Sequence, residues 1–583
     1  MKADATKLDK IFFGTCKYIV PYYQRAYVWG DKQWKRFLED MEYISATNKQ
    51  HFFGSMILKQ MSTQTGSLYD ERTIIDGQQR LTTIAIFFKV LSLKLNKPKI
   101  FGNLFFLRDD NDDDDDSTKQ LAIIHNHIDR AKFNQITGLK ELEEIKGEDN
   151  LSKLYRYFVE NIDESKFVNP SIIKQNMLLV VIDLETGEDE QQIFDTINSL
   201  GVKLTTSELL KNHLFNESNE AQYEKFWKPI FEPDETRKDY WDIQITTGTI
   251  KRNLIDVFLN SFLQIMIRDF SDMEINPLDK KKYTKVENLF ESYKEFLKDY
   301  YYKCGHTKEE FLQKMDAYAV KFLENFDPTM GSQTLPATPG IERINEIIFE
   351  FDTTTLIPYV LYLLMNVQDD KERNEMFGYI ESFIMRRLLV KSNNRAYNVL
   401  FTETLVKGKV LTLERLRECL SQIEDKNNAM PDDDEILNGI HNLYYTNATS
   451  TGILYMLETR LRQAEYEANN MLGLNSYSLE HIYPKKWQAN WPAPADELAR
   501  ISRDRKILTI GNLAILPIKL NTSISNGDWQ TKLNGKNGKS GYQQHASGLK
   551  TLQRYLKLAS WDEEAIQQRA DDLYALMIGV WQK

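Results

Sequence analysis

The sequence predicts an α+β protein of several domains, on three observations. At 583 residues the chain exceeds what a single hydrophobic core organises. Its first hundred residues alternate strand-like and helix-like runs, whereas residues from about 220 to 440 carry helical periodicity and large aromatics without an internal repeat. Beyond 440, a strand, a loop, a second strand and a helix follow one another. The expected division is an α/β domain over 1–220, a mostly α-helical middle over 221–440, and a C-terminal domain set among helices over 441–583.

The elements follow in order. "YIVPYYQRAYVWG" contains Pro21 and reads as extended or looped. Asp31 to Asn48 reads as an amphipathic helix with Trp34, Phe37, Leu38 and Met41 on one stripe and Asp31 as N-cap. "HFFGSMIL" and "RTIID" read as strands and "QRLTTIAIFFKVLSLKL" as a buried helix, so Thr73 to Phe88 is a strand, a tight turn and a helix. "DDNDDDDD", Asp109 to Asp116, repels itself and reads as a surface loop. In the C-terminal third, "YSLEHIYPKKW" is a strand running into a loop that Pro484 fixes, "LTIGNLAILP" its returning partner, and "NTSISNGDWQTKL" the start of a helix.

Composition narrows the function. No stretch approaches the roughly 18 apolar residues of a membrane span, so no membrane partner is expected. The start lacks a basic segment followed by an apolar core, and three dispersed cysteines, Cys16, Cys304 and Cys419, support neither a disulfide framework nor a cysteine zinc site. A reducing cytoplasm is expected. Net charge is −11, yet Ser476 to Tyr555 holds twelve Lys and Arg against five Asp and Glu, a local +7. A polyanion would be drawn there, although a solvated basic face has the same composition.

Two groups of residues carry chemistry. In the first, Asp76-Gly77-Gln78-Gln79-Arg80 joins a strand to a helix, placing helix N-terminal N–H groups and the Arg80 fork where an anion is received. Gly77 permits the turn or a close ligand approach, Asp76 offers a metal ligand or a water-polarising carboxylate, and the glutamines donate and accept. The alternative is a capped turn whose polar residues satisfy one another. In the second, Glu480, His481 and an asparagine, Asn521 or Asn526, converge at the end of a strand–loop–strand–helix module. Such a set suits one hard cation, Mg²⁺ or Mn²⁺, with a neutral imidazole taking a proton from water that attacks a phosphodiester.

The motifs "YIVPYYQRAY", "HFFGSMIL", "IIDGQQRLTT" and "IFDTINSLGVKLTTSELLKNHLF", in that order, resemble the DGQQR-motif domain related to the ParB and sulfiredoxin folds, over roughly residues 8 to 220. The resemblance implies a module that binds and often hydrolyses a nucleoside triphosphate, with Gln24 and Arg25 joining Asp76 to Arg80 around the phosphates. Asn198 and Lys211 match the later motif, Lys211 as either a contact or a solvated lysine.

"YSLEHIYPKKW" with "IGNLAILPIKLNTSISNGDW" resembles the HNH, or ββα-metal, nuclease domain over roughly 440 to 583. The likeness implies His481 as general base, Glu480 as the adjoining acidic position, Asn512 as the asparagine that ties the loop, and Asn521, or else Asn526, as distal metal ligand. Many such enzymes have histidine at the distal position. Lys485, Lys486, Arg503, Arg505, Lys506 and Lys519 would contact the backbone of double-stranded DNA. Arg386, Arg387, Lys391 and Arg395, between the two domains, either touch DNA, bridge the domains or serve the fold.

Both domains on one chain resemble fused type IV restriction enzymes of the GmrSD kind and their phosphorothioate-sensing relatives. The implied function is a nucleotide-regulated, divalent-metal-dependent endonuclease acting on modified foreign DNA, of phage origin, in a prokaryotic cytoplasm. A ParB-like nucleotide switch that binds DNA without cutting is the main alternative, and an interaction scaffold the second. The sequence leaves open the modification, the nucleotide and the assembly state, a homo-oligomer included.

Overall fold

The computed structural model describes residues 2–21, 24–61, 69–108, 120–184, 205–215, 220–248, 250–462, 471–518, 526–535, 540–545 and 548–583. The acidic run, Asn198, Lys519 and Asn521 lie outside them. The chain divides into two compact units, Met1–Lys225 and Phe226–Lys583. The helical middle and the C-terminal segment therefore share one unit.

The first unit is built on a six-stranded mixed sheet of order β1-β6-β3-β4-β2-β5, formed by β1 (Lys2–Lys7), β2 (Cys16–Ile19), β3 (His51–Gln60), β4 (Asp70–Asp76), β5 (Ile123–Ile124) and β6 (Met177–Leu184). β3 pairs antiparallel to β4 and parallel to β6, and its register slips between Phe52 and Ser55, where Gly54 has φ +98°. That bulge bends the strand beside the turn that follows β4. The helix Gln78–Lys94 is buried along most of its length, as an apolar run of this kind requires. The helix Asp31–Thr47 buries Trp34, Phe37, Leu38 and Met41 on the expected stripe. Its N-cap is Gly30 rather than Asp31: the Gly30 N–H donates to Gln33 Oε1 at 3.3 Å, leaving Asp31 as the first helical residue, favourable there for the dipole.

The second unit is helical apart from two small sheets, β7 (Gln244–Thr247) with β8 (Ile250–Asn253), and β9 (Tyr477–His481) with β10 (Leu513–Pro517). Buried charged side chains knit it together. Arg343 grips both oxygens of Glu381 at 2.8 Å, and Trp581 Nε1 donates to the same carboxylate at 3.0 Å. Glu458 accepts from the N–H groups of Lys550 and Thr551, and Arg569 donates to the carbonyls of Gly511 and Thr551. The first set ties the middle helices to Trp581, and Arg569 ties the turn before β10 to the helix Glu563–Val580. Among the described residues, no helix is long and apolar enough to cross a membrane.

One buried carboxyl has no such partner. Both oxygens of Glu346 are occluded and make no hydrogen bond, and burial, with Glu350 nearby, pushes its pKa up to about 8 despite Arg343. The folded state therefore holds the proton more tightly than the unfolded chain, so stability falls as pH rises from about 4.5 to about 8. Glu346→Gln should flatten this decline, read as the urea midpoint at pH 5 and pH 9. An unchanged slope in the variant would assign the decline to other groups.

Candidate functional site

The turn Asp76–Arg80 owes its shape to one glycine. Gly77 has φ +104° and caps the helix Gln78–Lys94, and a Cβ there would stand 2.9 Å from Met56 Cβ. Only glycine meets both demands. Arg80, in the first turn, reaches back to the bulge of β3: its Nη1 donates to Ser55 O at 2.5 Å and lies 3.5 Å from Asp76 Oδ2. A Cβ at Gly54 would meet Arg80 Nε at 2.9 Å, so the bulge glycine leaves room for the guanidinium.

The two glutamines hold the preceding loop. Gln79 donates to Ala26 O at 3.3 Å and accepts from Val28 N at 2.9 Å, while Gln78 Nε2 donates to Arg25 O at 3.2 Å. Gln24 donates to Ile74 O and Ile75 O at 2.7 and 3.1 Å. From the other side, Asn126 Nδ2 donates to the carbonyls of Gln24 and Arg25, and Asp129 accepts from Tyr27 N. Gln24, Arg25 and all five residues of the turn line one cavity of about 620 Å³. Both readings of the motif thus hold part of the geometry: the glutamines satisfy backbone groups, and the turn faces open space.

Sequence reasoning missed the cavity's far wall. Gln33, Arg36 and Asp40 line it from the helix Asp31–Thr47, as do Phe53 of β3 and Glu208 and Asn212 of the helix Thr206–Leu214. Gln33, Arg36 and Asp40 recur at helical spacing, a polar stripe beside the apolar one that was visible in the sequence. Arg25 Nη1 stands 3.9 Å from Glu208 Oε1, and the exposed Arg36 has no ion-pair partner among the described residues. Lys211 is buried, which rules out the solvated reading.

In the second unit, β9 and β10 pair antiparallel with Leu513 opposite His481 and Ala514 opposite Glu480. Asn512 is fully buried, donates to Tyr483 O and Ile507 O at 2.8 Å, and accepts from Tyr483 N at 2.8 Å and Trp561 Nε1 at 3.0 Å. It fixes the chain that leaves His481, so its part is to position rather than to react. The His481 imidazole is half-buried, and burial, then Lys485 and Lys532, lower its pKa to about 4. It is neutral at physiological pH.

Glu480 stands otherwise than expected. Adjacent strand residues point to opposite faces, and the Glu480 side chain turns inward. There Oε1 is held by Lys532 Nζ from the helix Trp529–Asn534 and by Tyr542 OH at 3.0 Å. The residue expected as a metal ligand thus also belongs to a buried ion pair. Asn526 is exposed, and among the described residues no three His, Cys, Asp or Glu side chains gather as a metal set.

The basic residues separate likewise. Lys485, Lys486 and Arg505 are exposed and Lys506 half-buried. Arg503 is buried, bound to Glu563 and to Pro492 O at 2.6 Å and packed over Tyr483 and Trp487, which removes it from the DNA-contact set. Arg386 and Arg387 serve the fold: the first donates to Pro431 O and Trp581 O, the second to Ala429 O and Asn393 O. Lys391 and Arg395 are exposed.

Gly77→Ala should cost roughly 1–2 kcal/mol for the left-handed backbone alone, and more for the contact with Met56. Gly30→Ala, where a Cβ meets nothing within 4 Å, is the control. Urea denaturation reads both, and equal midpoints would show that the turn relaxes.

Comparison with curated proteins yields no match. Family models match at both ends: residues 7–215 match the GmrSD restriction endonuclease N-terminal domain, and residues 430–576 the GmrSD restriction endonuclease C-terminal domain. The first match spans the sheet and its cavity, the second the β9–β10 module. With both domains on one chain, this protein belongs to the GmrSD restriction endonucleases.

Proposed function

We propose that the chain is a nucleotide-regulated DNA endonuclease, dependent on a divalent cation, that restricts modified foreign DNA and hydrolyses NTP in its first unit. The observation that carries this reading is that each of the two family domains presents chemistry-bearing side chains: Arg80 and the turn at a cavity, and His481 a few residues before exposed lysines. The cavity of about 620 Å³ is of the size that accepts a nucleotide-sized ligand. Phosphates are received by the N–H groups that open the helix Gln78–Lys94 and by the guanidiniums of Arg80, Arg25 and Arg36. Asp76, at the mouth of the turn, is the carboxylate available to orient water.

In the second unit, Lys485, Lys486, Arg505 and Lys506 hold backbone phosphates without reading sequence. The neutral His481 accepts a proton from the attacking water, held in place by the chain that Asn512 ties down. Among the described residues no three His, Cys, Asp or Glu side chains gather as a cation site, and Lys532 holds Oε1 of Glu480. The dependence on Mg²⁺ or Mn²⁺ rests on the family likeness, with the asparagine at 521, or else that at 526, as its distal donor. A bound cation would supply charge stabilisation at the phosphate oxygens. That same occupied carboxylate favours the alternative, a nucleotide switch that binds DNA without cutting.

Two measurements decide. His481→Ala should keep DNA affinity and lose about 10²- to 10⁴-fold of the cleavage rate, read on plain, glucosylated-hydroxymethyl and phosphorothioate DNA with and without NTP and Mg²⁺. Cutting at the wild-type rate would remove His481 as the base, and no cutting by the wild type would leave the DNA-binding switch.

Arg80→Ala removes a charge-assisted phosphate contact worth roughly 1.5–3 kcal/mol, weakening NTP binding about 10- to 100-fold. Calorimetric titration with each NTP reads this. Unchanged affinity would return the turn to a purely structural role.

A further inference from the structure

Lys532 has no role in the sequence reading, yet it is among the most completely buried charged side chains of the second unit. Its ammonium donates to Glu480 Oε1 and, at 2.7 Å, to the carbonyl of His481. Tyr542 OH, itself buried, donates to the same Glu480 oxygen. Three elements therefore meet at one carboxylate: the end of β9, the helix Trp529–Asn534 and the helix Tyr542–His545. A lysine carries three donors and no acceptor, so with Glu480 and the His481 carbonyl it is bonded twice inside a region that excludes water. Removing either member of the pair would leave the other charge buried alone.

We infer that Glu480 and Lys532 are positioning residues which fix the main chain at His481 against the helix Trp529–Asn534. The inference rests on the reading of His481 as the base. Both donors, an ammonium and a phenol, meet the one oxygen Oε1 on the inner face of β9, which holds the carboxylate and the strand end beside it in one orientation. The helix that Lys532 anchors begins at Trp529, three residues after Asn526, so the same pair bears on the distance between His481 and Asn526.

The test uses the full chain and the variants Glu480→Gln, Lys532→Met, their double and Tyr542→Phe. It reads DNA-free Mn²⁺ binding by electron paramagnetic resonance, thermal melting, and the kcat and KM of DNA cleavage. Positioning residues that act through a catalytic group typically cost ~10- to 100-fold, so each single variant of the pair should lose about that in kcat with KM for DNA and Mn²⁺ affinity unmoved. The double should melt above either single and lose no more activity than one of them, because the two side chains act as one unit. Tyr542→Phe, which keeps both charges, is the variant to read if the others do not fold, and it should lower kcat at unchanged Mn²⁺ affinity.

A tenfold loss of Mn²⁺ affinity in Glu480→Gln or Tyr542→Phe at wild-type melting temperature overturns the inference, as do losses that multiply in the double. Failure of the wild type to cut falls on the reading of His481 and takes the positioning role with it. A wild type that cuts while Glu480→Gln loses Mn²⁺ overturns the inference alone.

Discussion

The candidate nucleotide site depends on the left-handed backbone of Gly77. β4 runs antiparallel to β3, and the chain must turn at its end into a helix that is buried along most of its length. Because Met56 stands where a Cβ at position 77 would go, the turn is made against the neighbouring strand with no side chain between. Everything polar in the motif follows from that closeness. Arg80 comes within reach of Ser55 O at the bulge, and Gln78 and Gln79 come within reach of the carbonyls of Arg25 and Ala26. The motif is therefore both a structural clamp and a cavity wall. The glutamines spend their amides on the loop 24–28, and Arg80 and the helix N-terminus are left facing the cavity.

The second unit reaches the same end by another device, in which buried side chains bond main-chain groups of distant segments. Asn512 joins Tyr483, Ile507 and Trp561; Glu458 receives the N–H groups of residues 550 and 551; Arg569 caps the carbonyls of 511 and 551. Each such bond is worth only about 0.5–1.5 kcal/mol net, but losing one partner costs the desolvation of the other. A module of two short strands cannot hold a catalytic geometry by its own ladder. Its stiffness is borrowed from these ties, and other buried arginines link the middle helices to the C-terminal segment, Arg386 by donating to Trp581 O and Arg343 by donating to Met456 O.

Much of this was legible in the residues. The strands 51–60 and 70–76, the helices 31–47 and 78–94 and the β9–β10 pair stand where period and turn chemistry put them, whereas the helix expected to carry Asn521 or Asn526 begins only at Trp529 and leaves Asn526 outside it. The seven residues expected around a phosphate do meet at one cavity. What was not legible is partnership. Nothing local in "SLEHIYP" reveals that Glu480 faces a lysine 52 positions later, and nothing in "DKQWKRFLED" distinguishes Arg36 at a cavity from Lys35 in solvent. Period tells which face a side chain takes, and tertiary packing tells what waits there. The N-cap at 30 rather than 31 is the local version of the same limit, since a glycine offers no side-chain signal.

Partnership also governs what the basic C-terminal region offers to DNA. Counting charges from 476 to 555 gives +7, yet the structure withdraws several of those cations from the surface field. Arg503 is buried against Glu563 and Lys532 against Glu480, whereas Arg500 and Arg554 pair with Glu497 and Asp572 but stay in solvent. The guanidinium fork of Arg503 satisfies a carbonyl and a carboxylate at once and is less costly to desolvate than an ammonium. Lysines, with a compact and strongly hydrated charge, stay outside unless a full shell awaits them, as it does for Lys532. The exposed cations nearest His481 in sequence are thus Lys485 and Lys486. Point charges on flexible stems hold a phosphate backbone without demanding one geometry of it. On the proposed function, such a surface would hold DNA by charge and leave discrimination between modified and plain DNA to groups other than these lysines.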